Sequence, residues 1–187
     1  MKQKTVDKAN LEEYGKHFMA LALEEANKAA KKGEVPIGVV IVENGKVIAK
    51  AHNTRNKKRS AILHAEIIAI TKACKKKNDW RLENCDLFVT LMPCPMCAGA
   101  VVNARINTVF YGADNENKEL FEKILSSSSL NHKTLFVGDV LKDECALCLK
   151  NFFKEKRNKK KSFDWFSDKI VLFDIVFSVK WVIIIKM

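Results

Sequence analysis

The residues whose types and spacing could do chemistry are Pro93-Cys94-Pro95-Met96-Cys97 and, upstream of them, His64-Ala65-Glu66. Zinc binds thiolate and imidazole tetrahedrally; a catalytic site keeps one of the four positions for water, whereas a structural site fills all four. His64, Cys94 and Cys97 would supply three ligands and leave Glu66 spare. Water held by such a metal loses its proton near a pH of about 7. Glu66 stands two residues past His64, placed to shuttle that proton rather than to ligate. The pattern predicts a hydrolytic zinc site with Glu66 as its catalytic acid and base.

The elements that must position these residues are legible around them. Leu11, Tyr14, Phe18, Leu21, Ala22, Ala26 and Ala29 recur at helical spacing, and Asn10 with Glu13 resembles a capping box, so a helix is predicted over Leu11–Lys32. Gly33 should end it, and Pro36 prevents it from resuming. Ile37–Val42 and Lys46–Ala51 are β-branched runs flanking Asn44-Gly45, a hairpin signal. Ala65, Ile68, Ala69 and Ala73 predict a second helix that begins at His64 and ends in Lys75-Lys76-Lys77-Asn78. A third strand, Asp86–Thr90, delivers the chain to Pro93. Pro95 suits a first helical turn, which predicts a third helix over Met96–Asn103 with Cys94 just before it and Cys97 inside its first turn. Amide groups there would stabilise thiolates. Thr108–Gly112 and Thr134–Gly138 read as further strands, separated by an acidic segment and a Ser126–Ser129 loop. A last amphipathic helix is expected from Asp143 to about Lys160.

A chain of 187 residues favours one domain, expected over residues 1–161 with an apolar tail over 162–187. The net charge of +11 favours an acidic partner, nucleic acid before membrane. Lys150 to Lys161 hold seven basic residues against one acid, more than half of that excess. Between Glu43 and Glu66 stand six Lys or Arg and no acid. That run is either a solvated loop or a phosphate-facing lip, and its position beside His64 favours the lip. No uninterrupted apolar run follows the first lysines, so no secretory signal is expected. A cytoplasmic setting follows, in which a Cys-x-x-Cys pair is a metal or redox element more plausibly than a disulfide. Ile170–Ile185 is shorter than a membrane span and carries Asp174 and Lys180, so no membrane role is expected. Cys145 and Cys148 repeat the Cys-x-x-Cys spacing inside a periodic helix and are read as packing residues; a structural zinc shared with Cys94 and Cys97 is the rival.

His-x-Glu followed by Pro-Cys-x-x-Cys is the signature of zinc nucleobase deaminases. From about Leu11 to Lys160 the chain resembles the bacterial tRNA adenosine deaminase family of the cytidine-deaminase fold. The resemblance rests on Glu34-Val35-Pro36-Ile37-Gly38, Asn53, His64-Ala65-Glu66-Ile67, Pro93 to Ala100, Leu130-Asn131-His132 and Leu141–Phe153. The zinc signature is shared with cytosine, guanine and cytidine deaminases; the distal segment points to the tRNA branch. The resemblance implies an α/β fold, a three-layer α/β/α sandwich around a five-stranded mixed sheet, with one Zn2+ per subunit, a homodimer, and hydrolysis of adenosine to inosine at the wobble position of a tRNA anticodon loop. It also implies substrate binding by Asn53 and RNA contacts at Phe153 and Arg157. A small-molecule nucleobase or nucleoside deaminase is the alternative. The chain departs from the family at Met92, where Glu is usual, and at Asn115, where an acid begins the family's pattern.

Overall fold

In a computed structural model, which describes residues 8–115, 118–125 and 132–159, the chain opens with α1 (Lys8–Lys31). Gly33, at φ 73°, ends it, because the left-handed conformation there costs a glycine nothing. The helix starts two residues before Asn10, so the capping box read at Asn10 is not where the helix begins.

A hairpin follows, β1 (Gly38–Glu43) and β2 (Lys46–His52), turned at Asn44 and Gly45, both at positive φ as a tight two-residue hairpin turn requires. The remaining elements are α2 (Arg55–Lys58), α3 (Ala65–Lys77), β3 (Cys85–Leu91), α4 (Pro95–Asn103), β4 (Thr108–Ala113), α5 (Lys118–Leu125) and β5 (Leu135–Val137). A final helix, α6, covers residues 142–159. Two of these helices differ from expectation. The basic run after Asn53 contains the four-residue α2, and the acidic segment after β4 contains α5. α2 is too short to display a period.

The five strands form one mixed sheet in the order β2-β1-β3-β4-β5. β1 pairs antiparallel with β2 and β3, whereas β3–β4 and β4–β5 are parallel. The parallel β3–β4 pair needs a crossover, and α4 supplies it.

Alternation along the strands sorts the core into two faces. Val39, Ile41, Leu87, Val89 and Val109 pack with Ala65, Ala69 and Ala73 of α3 and with Ala98 and Val101 of α4. Val40, Val42, Phe88 and Phe110 pack instead with Phe18, Met19 and Ala22 of α1. The small alanines on α3 bring that helix close to the sheet. On the α1 side, Phe88 and Phe110 stack at 4.7 Å with their planes 5° apart, and Phe18 lies 5.2 Å from Phe88. Each such buried ring contributes about 1.5–3 kcal/mol relative to exposure. Gly38 is required where α1 crosses β1: a Cβ there would collide with the Ala22 carbonyl and the Ala26 amide.

The chain up to Leu149 is one compact unit, and the described part of the remainder, residues 150–159, is helical. The 162–187 tail, the Ser126–Ser129 loop, and Leu130 and Asn131 lie outside the described residues.

Candidate metal centre and active site

Both chemically equipped helices begin on the same side of the sheet. His64 is the N-cap of α3 and Cys94 the N-cap of α4, with Pro95 in the first turn, where its missing N–H costs nothing. N-cap side chains commonly accept an amide of their own helix. His64 makes no such bond. Its side chain meets the two sulfurs instead: His64 Nδ1 lies 3.7 Å from Cys94 Sγ and 3.6 Å from Cys97 Sγ. A tetrahedral ion with the bond lengths of zinc, about 2.3 Å to sulfur and about 2.0 Å to nitrogen, sets its N and S ligands roughly 3.5 Å apart. The donor atoms of His64, Cys94 and Cys97 all lie within 4.8 Å of one another and fit such an ion. Among the described residues no other group of three His, Cys, Asp or Glu gathers in this way.

The start of α4 tunes the sulfurs. A hydrogen bond from the Cys97 thiol holds Cys94 down to about 5 against the cost of burial, helped by the amides of Cys97 and Met96. The Cys97 thiol, as donor in that bond and buried, is pushed well up.

Glu66 sits in the first turn of α3, 3 % exposed. Burial pushes its carboxyl up to about 7. Its Oε2 is the one buried side-chain oxygen among the described residues without a hydrogen-bond partner. A buried lone pair left unpaired is costly unless something binds there. The carboxylate beside the His/Cys/Cys group is therefore poised to exchange a proton near neutral pH with a molecule entering the site.

Asn53 is buried, and both ends of its amide are engaged: Oδ1 accepts the Ala65 N–H at 2.8 Å, and Nδ2 donates to the Val35 carbonyl at 3.3 Å. It pins the start of α3, and so His64, to the α1–β1 connection. Met92 is buried in the α3/α4-side core, Met96 is exposed, and Asn115 follows β4. Cys145 is fully buried on the α1 side, where burial pushes its thiol up to about 12, and packs against Gly112. Cys148 donates to Asn27 Oδ1. Neither joins Cys94 and Cys97, as the packing reading expected. A cavity lined by Leu11, Gly15, Phe110, Val137 and Val140 lies on the α1 face, across the sheet from the His64 group.

The basic run is exposed along Arg55, Lys57, Lys58 and Arg59, and the Thr54 amide donates to the Leu63 carbonyl, next to His64. What holds it is a residue to which sequence reasoning gave no role. Glu34, 2 % exposed, accepts the amides of Asn56 at 3.1 Å and Lys57 at 2.7 Å. The sequence marked it only as part of the Glu34–Gly38 stretch that carries the family resemblance; its anchoring role depends on burial, which is not visible in one sequence. On residues 150–159, Phe153 and Arg157 are exposed, and Phe153 meets Phe152 edge to face.

Comparison with known proteins adds to this geometry. The family model described as MafB19-like deaminase matches residues 14–157. A curated tRNA-specific adenosine deaminase of Bacillus subtilis (strain 168) is 47% identical over 148 residues, 78% of this chain and 92% of that protein. One of Streptococcus pyogenes serotype M18 is 42% identical over 149 residues, 78% of this chain and 94% of its own length. A solved structure from studies of A-to-I editing by tRNA:A34 deaminases at the wobble position of transfer RNA is 39% identical, with a TM-score of 0.68, covering 71% of this chain and 99% of that one.

Proposed function

The chain belongs to the MafB19-like deaminase family and to the tRNA-specific adenosine deaminases, and from that premise we propose that it hydrolyses adenosine to inosine at the wobble position of a tRNA anticodon, releasing ammonia. One observation carries the reading: a His/Cys/Cys donor set of zinc dimensions beside a buried carboxylate with an unpartnered oxygen, in a chain so similar to named tRNA deaminases.

His64, Cys94 and Cys97 would hold a zinc ion, which when bound would supply a water acidic enough to lose its proton near neutral pH. Glu66 takes that proton on its Oε2, which no described group occupies. It then delivers that proton to the ring nitrogen next to C6 as the water oxygen bonds to C6; the remaining proton of that oxygen is carried to the amino nitrogen, the C6–N bond breaks, ammonia leaves, and inosine keeps the C6 carbonyl and the protonated ring nitrogen. Burial keeps the carboxyl near the pH at which it both accepts and donates. The target base enters splayed out of the loop, as single-stranded recognition requires. Asn53 fixes the ligand-bearing end of α3 and uses its remaining amide hydrogen on the substrate.

The anticodon arm meets the basic lip. Separately, on residues 150–159, exposed Phe153 and Arg157 offer a stacking ring and a cation for RNA. Exposed Ile62 and Met96 supply apolar surface for a homodimer. No helix among the described residues is long and apolar enough to cross a membrane. A tRNA substrate supports the reading of a cytoplasmic enzyme. The test is incubation of the zinc-loaded protein with unmodified tRNA carrying adenosine at the wobble position. Inosine is expected there; ammonia from free cytosine or guanine, with no inosine in the tRNA, would replace this reading with a small-molecule deaminase.

A further inference from the structure

A buried carboxylate is expensive unless both oxygens are satisfied. Glu34 is buried and reaches out of the α1–β1 connection to accept two consecutive backbone amides, those of Asn56 and Lys57, at the start of α2. Thr54, the residue standing at the N-cap of α2, offers no side-chain bond of its own. Glu34 thus does from a distance what a capping side chain does locally. Its own amide is fixed as well, donating to Ala29 at the end of α1.

What it anchors is a four-residue helix that would not persist alone. That helix has no buried residue, and Arg55, Lys57, Lys58 and, just after it, Arg59 are all exposed. Among the described residues no carboxylate pairs with any of the four. Four unpaired cations in one short segment repel one another and resist folding into a fixed array. Two hydrogen bonds to a buried anion oppose that tendency directly, because an ionised acceptor makes the stronger kind of amide bond. The segment is tied at its flanks to the ligand-bearing region: Asn53 holds the Ala65 amide, and the Thr54 amide donates to Leu63.

We infer that Glu34 is a positioning residue for RNA recognition: it presents the Arg55–Arg59 lip as a preformed cationic grip for the phosphates flanking the target nucleotide. The inference rests on the RNA-substrate reading above. Its consequence is a separation of binding from chemistry. The ligands and Glu66 do not touch Glu34, so loss of the anchor weakens the grip on RNA without altering the reacting groups.

The experiment compares Glu34→Gln with wild type as zinc-loaded enzyme, using an anticodon stem-loop RNA with adenosine at the wobble position. Gln keeps the shape but turns an amide N–H2 toward a backbone N–H, breaking one of the two bonds. KM and the Kd from fluorescence anisotropy should each rise about tenfold, with kcat within about twofold, and the plot of log Kd against log salt should flatten by about 1. The triple variant Arg55→Ala/Lys57→Ala/Lys58→Ala should raise KM similarly, and adding Glu34→Gln to it should raise KM no further. An unchanged KM, a fall confined to kcat, or full additivity would overturn the inference. Should Glu34→Gln not fold, amide exchange in the wild-type protein decides: the amides of Asn56 and Lys57, bonded to Glu34, should exchange more slowly than that of Arg55, the first residue of α2, and equal exchange would overturn it. Failure of the deaminase reading has a different signature, in which the stem-loop binds with the same Glu34 dependence and no inosine forms. A wild type that binds no RNA would sink the lip itself.

Discussion

Asn53 offers the sharpest test of how the fold holds its chemistry. Replacing it with Ala removes the acceptor of the Ala65 N–H and the donor to the Val35 carbonyl. Ala65 is fully buried, so its amide has no access to replacement water. A buried donor left unsatisfied costs about 1–3 kcal/mol, and the longer 3.3 Å bond to Val35 adds at the weak end of the neutral range, about 0.5–1 kcal/mol. The sum is about 2–4 kcal/mol, which for a chain of this length lowers Tm by roughly 4–16 °C. Asn53→Asp keeps an acceptor for Ala65 and gains slightly from the dipole of α3, but it sets a buried carboxylate oxygen against the Val35 carbonyl, so both variants should be less stable than wild type. Activity reports on the second role. If the second amide hydrogen serves the substrate, Asp and Ala lose it equally, and both should lower kcat/KM by about 10²-fold or more, the scale set by a misplaced reacting group. Calorimetry together with single-turnover inosine formation separates the two roles. An Ala variant that melts within about 1 °C of wild type would refute the pinning role. An Asp variant as active as wild type would refute the substrate contact.

Three further outcomes are expected. Glu66→Ala should retain zinc by atomic absorption and lose turnover by about 10²–10⁴-fold, whereas loss of metal and fold together would make the carboxylate structural. Gly38→Ala should lower stability by several kcal/mol and reduce soluble yield, because the new methyl meets backbone on α1 that cannot yield; a Tm within about 2 °C of wild type would contradict the close crossing of α1 over β1. For Glu25, burial raises the carboxyl, but the hydrogen bonds from Lys28 and His52 outweigh it and leave the group below its ordinary 4.5. A depressed folded value means stability that is fully present above the unfolded value and is lost as pH falls through the folded one. The Tm gap between wild type and Glu25→Gln should therefore be widest near neutral pH and close as pH drops below 4.5; a gap that widens in acid would reverse the sign.

The elements that were legible in advance are those whose own residues carry the signal. Asn44-Gly45 between two β-branched runs could hardly be anything but a hairpin turn, and both residues take the positive φ that it needs. Pro95 after Cys94 marked a helix start that left the two sulfurs on one side. Helix α5 was hidden because acidic residues surround its start and a serine run follows its end, so composition spoke for a loop while the periodicity of Leu120 and its neighbours spoke for a helix. α2 was invisible for a different reason: four residues are too few to show a period, and the bonds that hold it come from Glu34, more than twenty residues away.

The same distinction separates the ligands from the residues that place them. His64, Cys94 and Cys97 are recognisable because metal coordination restricts residue type as well as position, so a sequence records it in its own letters. Asn53 and Glu34 act on backbone amides, which every residue has, and no periodicity marks which amide a distant side chain will find. Glu34 lies in the same short connection as Val35, whose carbonyl receives Asn53, so the stretch Glu34-Val35 fastens both the basic segment and the ligand-bearing start of α3. The two anchors thus start from one connection but act on different steps: disturbing Asn53 moves a metal ligand, and disturbing Glu34 moves only the cations. Bond for bond they resemble each other, but their kinetic signatures should not.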